Sequence, residues 1–277
     1  MNQNLTFNIN RINTYEIDKI LSNNYTRKRY CNWFTQIITY TDCKNNDIKI
    51  KINNANDLIQ YWLKNCSYWE IEILQELKKL IPKNSISVDI GAYIGTYSLY
   101  LATYLDNIVY AFEPSFNRCH HLTENIRINR LDDSILPIEA GVWNRDSWLE
   151  INTPRKKNKG ITFTREIINK ITDIAAIKLD TYFQNEEISF IKIDTEGRET
   201  QILYGAERII KINKPILLIE IHGNGTILPK YILDLDYYYK PMKANWSEVC
   251  RHYILIPAEL VDGENFKRLE NKVLREL

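Results

Sequence analysis

The chain has 277 residues, 44% hydrophobic and 26% charged, with 36 Lys and Arg against 35 Asp and Glu. This composition suits one large α/β domain with a buried core, and a formal net charge of +1 excludes whole-molecule attraction to nucleic acid or an anionic membrane. No apolar run reaches the ~18 residues of a membrane span. Residues 1–10 are polar, with no apolar stretch behind a basic start, so a cytoplasmic location is expected rather than export.

Taken in chain order, residues 33–40, the polar Asn45-Asn46-Asp47 and residues 48–52 predict a strand, a turn and a strand. Residues 57–80 carry apolar side chains at helical spacing, with Asp57 as the cap and Pro82, Lys83 and Asn84 closing the helix. Residues 1–80 are therefore expected to form a flanking segment or lid, and residues 81–277 the main domain. From Ser85 onward, apolar runs at 86–90, 108–112, 135–140, 189–193 and 215–221 alternate with helical stripes such as Ile94, Tyr97, Leu101 and Leu105. Nearly continuous β-branched and aromatic runs of this length predict parallel strands covered on both faces.

Residues 154–160 form a loop holding Arg155, Lys156, Lys157 and Lys159, which reads as a solvated insertion and is the one local feature suited to a polyanion. A helix is expected over 227–235, and strands over 237–240 and 253–256. These would complete a Rossmann-like α/β fold: a mostly parallel seven-stranded sheet with an antiparallel edge and helices on both faces. Cys31, Cys43, Cys66, Cys119 and Cys250 are widely spaced, odd in number and lack a C-x-x-C pair, which predicts reduced thiols and no zinc site.

The chemistry concentrates where strands meet helices. Val88-Asp89-Ile90-Gly91-Ala92-Tyr93-Ile94-Gly95 has the pattern D-x-G-x-x-x-G, and its glycines let the backbone turn tightly and approach a ligand. A carboxylate at the first position would repel a pyrophosphate but suits a ligand carrying an ammonium and a sulfonium. This points to S-adenosylmethionine rather than a dinucleotide, with a helix cap as the structural alternative for Asp89. Twenty-four residues on, Glu113, followed by Pro114, ends the second strand, where a carboxylate can accept hydrogen bonds from both ribose hydroxyls. Glu139 ends the third strand and is expected near the adenine edge.

Residues 87–223 resemble the FkbM family of S-adenosylmethionine-dependent methyltransferases. The resemblance is carried by the glycine turn with Thr96, by Phe112-Glu113-Pro114 with Asn125 and Asn129, and by Ile191-Lys192-Ile193-Asp194-Thr195-Glu196-Gly197-Arg198-Glu199. Leu203, Gly205-Ala206, Pro215 and Ile219-Glu220-Ile221-His222-Gly223 complete it. It implies O-methylation of a sugar or a similar small molecule. Tyr93 stands where the family usually has Asn, and Arg198 where an apolar residue is usual.

Methyl transfer to a hydroxyl needs alignment and a proton acceptor. Period-two alternation places Lys192 and Asp194 on one face of the fourth strand, Glu196 on the turn after it, and Glu220 and His222 together on the fifth. His222 is the favoured base, because imidazole accepts a proton near neutral pH. Asp194 and Glu196 would orient the hydroxyl, and Asp194 would also border the cofactor. The expected cofactor-binding set is Asp89, Gly91, Tyr93, Gly95, Glu113, Pro114, Glu139 and Asp194. The carboxylates could hold a divalent cation, but no metal site is predicted. The bland alternatives are a hydrogen-bonded structural His222, a helix cap at Asp194 and a buried ion-pair partner in Lys192. Two competing functions are a nucleic-acid methyltransferase, which would need a basic face or a D/N-P-P-Y/F turn, and a non-catalytic interaction module.

Overall fold

The computed structural model describes residues 35–42, 46–54, 57–152, 163–166, 174–221, 225–244, 247, 251–261, 265–270 and 273–275. The basic loop residues Arg155 to Lys159 and the proposed base His222 lie outside them.

The amino-terminal part is a hairpin of β1 (Gln36–Thr41) and β2 (Asp47–Ile52), followed by α1 (Leu58–Asn65) and α2 (Ile71–Leu80). Strand β2 buries Ile48, Ile50 and Ile52 and turns Asp47 and Lys49 outward, the alternation of a half-covered strand. Asp57 caps α1, its carboxylate accepting from the Gln60 backbone N–H at 3.0 Å. The single helix expected over 57–80 is in fact two. Between them Tyr68 and Trp69 enter the core, and Glu70 adopts a left-handed backbone (φ 52°) that a continuous helix cannot contain.

The next elements are β3 (Ile86–Ile90), α3 (Thr96–Leu105), β4 (Ile108–Phe112), α4 (Phe116–Asn129) and β5 (Ile135–Ile138). A small sheet then intervenes, made of β6 (Gly141–Trp143), β7 (Ser147–Asn152), β8 (Phe163–Glu166) and β9 (Ile174–Lys178) in the order β6-β9-β7-β8. The main sheet resumes with α5 (Leu179–Tyr182), β10 (Ile188–Ile193), α6 (Glu199–Gly205), α7 (Glu207–Asn213) and β11 (Ile216–Glu220). The described chain ends with β12 (Thr226–Ile227), α8 (Lys230–Asp234), β13 (Tyr237–Met242), β14 (His252–Pro257), β15 (Lys267–Arg268) and β16 (Val273–Leu274). The helix expected over 227–235 begins late, because residues 226–227 pair with β16 and Pro229 precedes the first helical turn.

The main sheet runs β15-β13-β14-β11-β10-β3-β4-β5, the seven expected strands plus the two-residue β15 at one edge. Strands β5, β4, β3, β10 and β11 are parallel, and β14 pairs with β11 antiparallel. The chain steps outward from β3 through β4 to β5, then restarts at β10 on the other side of β3. This is the reversal at which open α/β sheets bind ligands beyond their strand ends. One face of the sheet is covered by α3, α4 and the amino-terminal hairpin and helices, which share a single apolar core with it. The other face packs on α5 to α8. Among the described residues no helix is long and apolar enough to cross a membrane.

Candidate functional site

The glycine turn leaves β3 at that reversal. Gly91 has φ 77°, and a Cβ there would stand 1.9 Å from the backbone oxygen of Asp194. The turn can therefore press against the end of β10 only without a side chain. Gly95 (φ 96°) caps α3, and a Cβ on it would meet Leu122 at 2.5 Å.

Glu113 lies at the end of β4, 3% exposed. Its carboxylate accepts from the Tyr93 N–H at 3.0 Å and the Ser115 N–H at 2.9 Å, which ties the acid to the turn. Burial raises its carboxyl to about 6, although Arg118 and the two backbone N–H groups pull it down. Two carboxylate lone-pair sites remain for a diol, so the acid and the turn fit the adenosyl half of the expected cofactor. Pro114 continues the rim, and Glu139 is exposed at the end of β5.

Asp89 is placed differently from a ligand-facing charge. It is fully buried under the turn, accepting from the Ser98 hydroxyl at 2.7 Å, with Lys192 Nζ at 3.2 Å. Lys192 also reaches Asp194 at 3.2 Å and donates to the Gly91 carbonyl at 3.2 Å. Burial would push the lysine down, but Asp194, Asp89 and Glu70 outweigh it and hold the ammonium charged. Asp89 thus acts on the turn through Lys192 and Ser98. Its compensated charge offers little repulsion to a phosphate, and the glycine-turn argument against a dinucleotide loses much of its force.

Asp194 keeps 29% of its side chain exposed at the mouth of the reversal. The following turn holds Glu196 (φ 55°) and Gly197 (φ 92°) in left-handed backbone. The buried Glu199 steadies it by accepting from the Gly197 N–H at 2.8 Å. Asp194 does not cap α6, whose capping position is Arg198. Gly91, Tyr93 and Glu113 are thus joined directly, and Asp89 and Asp194 meet through Lys192. Glu139, exposed beyond β5, forms no hydrogen bond or ion pair with either group among the described residues.

Sequence reasoning passed over a second buried group. Glu70 accepts from the Tyr97 hydroxyl at 2.7 Å and lies 3.3 Å from His252 Nε2, and Glu220 lies 3.8 Å from the same nitrogen. Burial disfavours the imidazolium, yet Glu70 and Glu220 raise His252 to about 9, so it is cationic at neutral pH. The link from Glu220 to His252 is the β11–β14 register, which places them opposite each other. Only the pairing of strands could have revealed it. Among the described residues, no group of three or more His, Cys, Asp or Glu is gathered for a metal. Cys66 and Cys119 are free thiols, and the other three cysteines lie outside the described residues.

The parallel sheet, its reversal point and the joined turn and acid define a Rossmann-like fold of the class I methyltransferase kind. The methyltransferase FkbM domain matches residues 89–239, more than half of the chain, and the chain belongs to that family. Among solved structures it is similar to the methyltransferase FkbM from Methylobacillus flagellatus KT, at 19% identity over 63% of this chain and 43% of that one, with a TM-score of 0.46. The chain therefore spans less than half of that protein. It is also similar to M. jannaschii TYW2 in complex with AdoMet, at 18% identity over 88% and 92% of the two chains (TM-score 0.48). A third is M. capricolum TrmK in complex with S-adenosyl-homocysteine, at 16% identity over 66% of each chain (TM-score 0.39). No curated protein matches the chain.

Proposed function

We propose that this chain is a cytoplasmic S-adenosylmethionine-dependent O-methyltransferase acting on a hydroxyl of a sugar, glycan or similar small molecule. The observation that carries the proposal is the bond from the Tyr93 N–H to the Glu113 carboxylate, which makes the glycine turn and the ribose-type acid one site. When bound, the cofactor would supply an electrophilic methyl group, the S–C electron pair staying on sulfur and the acceptor oxygen providing the pair of the new C–O bond. Glu113 holds the ribose diol, and Gly91, Tyr93 and Gly95 shape the turn, with Pro114 and Glu139 toward the base. Lys192 holds Asp194 by an ion pair at the mouth of the crevice. His222 or Asp194 accepts the hydroxyl proton, and Glu196 orients the acceptor. Residues 1–80 are read as a flank built onto the catalytic domain of 81–277.

Calorimetry with S-adenosylhomocysteine tests the cofactor half. The wild type should bind and Glu113→Ala should not, with the fold retained by circular dichroism; equal binding would remove Glu113 from the site. A mass-shift screen with small glycans and RNA as acceptors tests the other half. A methyl gain on RNA alone would replace the sugar reading. With an acceptor in hand, His222→Ala and Asp194→Asn are compared, and the one that cuts turnover more at unchanged cofactor affinity is the base.

A further inference from the structure

Four side chains grip the glycine turn. Lys192 donates to the Gly91 carbonyl and Glu113 accepts from the Tyr93 N–H, both within the site already described. The other two lead to the amino-terminal flank. Gln60 Nε2 donates to the Tyr93 hydroxyl at 2.9 Å, and Asn125 Nδ2 donates to the Ile94 carbonyl at 2.8 Å.

Both amides are buried and used at both ends. Gln60 Oε1 accepts from the N–H groups of Asn53 and Asn54 at 2.9 and 3.0 Å, just past β2. Asp57 and Gln60 have the spacing of a capping box, but the glutamine reaches across to these loops rather than back to its own helix start. Asn125 Oδ1 accepts from the Lys51 N–H at 2.8 Å. Along the same edge of β2, Asn129 takes both backbone groups of Lys49 at 2.7 Å, and His121 Nε2 donates to the Lys51 carbonyl at 2.7 Å. Helix α4 thus supplies the missing partners of an edge strand, and Asn125 passes that edge on to the turn. The residue so held needs holding: Tyr93 has φ 53°, a backbone region that side chains other than Asn or Asp rarely adopt.

We infer that Gln60 and Asn125 are positioning residues for cofactor binding, through which residues 46–54 and 57–60 of the flank set the shape of Tyr93 and Ile94 that receives the adenosyl ligand. This rests on the cofactor proposed above.

The test is calorimetric binding of S-adenosylhomocysteine to the full chain as wild type, Tyr93→Phe, Gln60→Leu and the double variant, each with a melting curve. Tyr93→Phe removes one hydroxyl, which meets both Gln60 and the capping residue Asp57, and leaves the bond from the Gln60 N–H to Asp57 in place. Tyr93→Phe should bind about 5- to 10-fold more weakly, the worth of one net hydrogen bond, and Gln60→Leu, which also strips the Asn53 and Asn54 N–H groups of their acceptor, at least as weakly. The double variant should lose less than the sum of the two single losses, because both changes delete the Gln60–Tyr93 bond. Additive losses would mean that the Tyr93 hydroxyl touches the ligand itself and would overturn the inference. So would a lowered melting temperature with unchanged affinity. Should Gln60→Leu fail to fold, Tyr93→Phe decides alone, and wild-type affinity there overturns it. If the wild type binds nothing, the cofactor reading falls and takes this inference with it; if all four proteins bind alike, only the inference falls.

Discussion

Glu113 shows at the scale of one residue how a site can run against stability. Its carboxyl titrates near 6, above the 4.5 of an exposed glutamate, because burial disfavours its charge more than Arg118 and two N–H groups favour it. The folded state therefore binds its proton more tightly than the unfolded chain, and the residue weakens the fold as the pH rises through that range. Its retention in a crevice is what a functional carboxylate looks like. In the proposed site the anion would accept from both ribose hydroxyls, and the neutral acid would give up part of that capacity. Affinity for S-adenosylhomocysteine should hold above pH 6 and weaken below it, by up to about tenfold per pH unit. Glu113→Gln should bind weakly at every pH; a wild-type affinity flat from pH 7 to 5 would mean that this carboxyl does not face the diol. The placement of this residue beside the turn was legible from its strand end and its distance from Asp89. The state of Asp89 was not, since the ion pair with Lys192 joins adjacent strands.

Elements announced themselves when one local pattern decided them. Strands β3, β4, β10 and β11 are continuous apolar runs because helices and flank cover both their faces, and the reading placed them within a residue or two. The β6–β9 sheet was missed, since β6 is only three residues long, β7 and β8 mix polar with apolar residues, and the apolar stretch of β9 is half alanine. The break at Glu70 was missed because helical periodicity continues across it. What joins these elements is as informative as their bounds. Strand β14 brings His252 opposite Glu220, and the turn before α2 brings Glu70 against both His252 and Tyr97. The histidine titrates near 9 in the fold and 6.5 outside it. Its stabilisation is complete below pH 6.5 and is lost as the pH rises through 9, an effect of up to about 3 kcal/mol. His252→Gln should lower the urea midpoint strongly at pH 6.5, where two buried carboxylates lose their cation. The gap to wild type should shrink by pH 10. A gap of constant size across that range would show that the imidazole carries no charge in the fold.

The whole molecule was expected to be a catalytic domain with a separable flank, and the packing bears on how separable that flank is. Ile48, Ile50, Trp62, Tyr68, Leu74 and Leu77 bury themselves in the same apolar cluster as Leu99, Val109, Phe190, Leu218 and Ile254, which belong to the main sheet and its first helix. Stripping the flank away would remove the apolar partners it gives that cluster, on the face of the sheet it shares with α3 and α4. A flank joined by this much apolar surface should unfold with the sheet as one cooperative unit. With Trp143, Trp148 and Trp246 replaced by Phe, the remaining tryptophans, Trp62 and Trp69 among them, report on the flank, whereas far-ultraviolet circular dichroism is dominated by the helices and sheet of the larger part. Urea unfolding followed by tryptophan fluorescence and by circular dichroism should give coincident midpoints, and a fragment of residues 81–277 should express as aggregate. An early fluorescence transition that leaves the dichroism intact, or a folded fragment that still binds S-adenosylhomocysteine, would instead make the flank an independent lid and strip Gln60 of its hold on the turn.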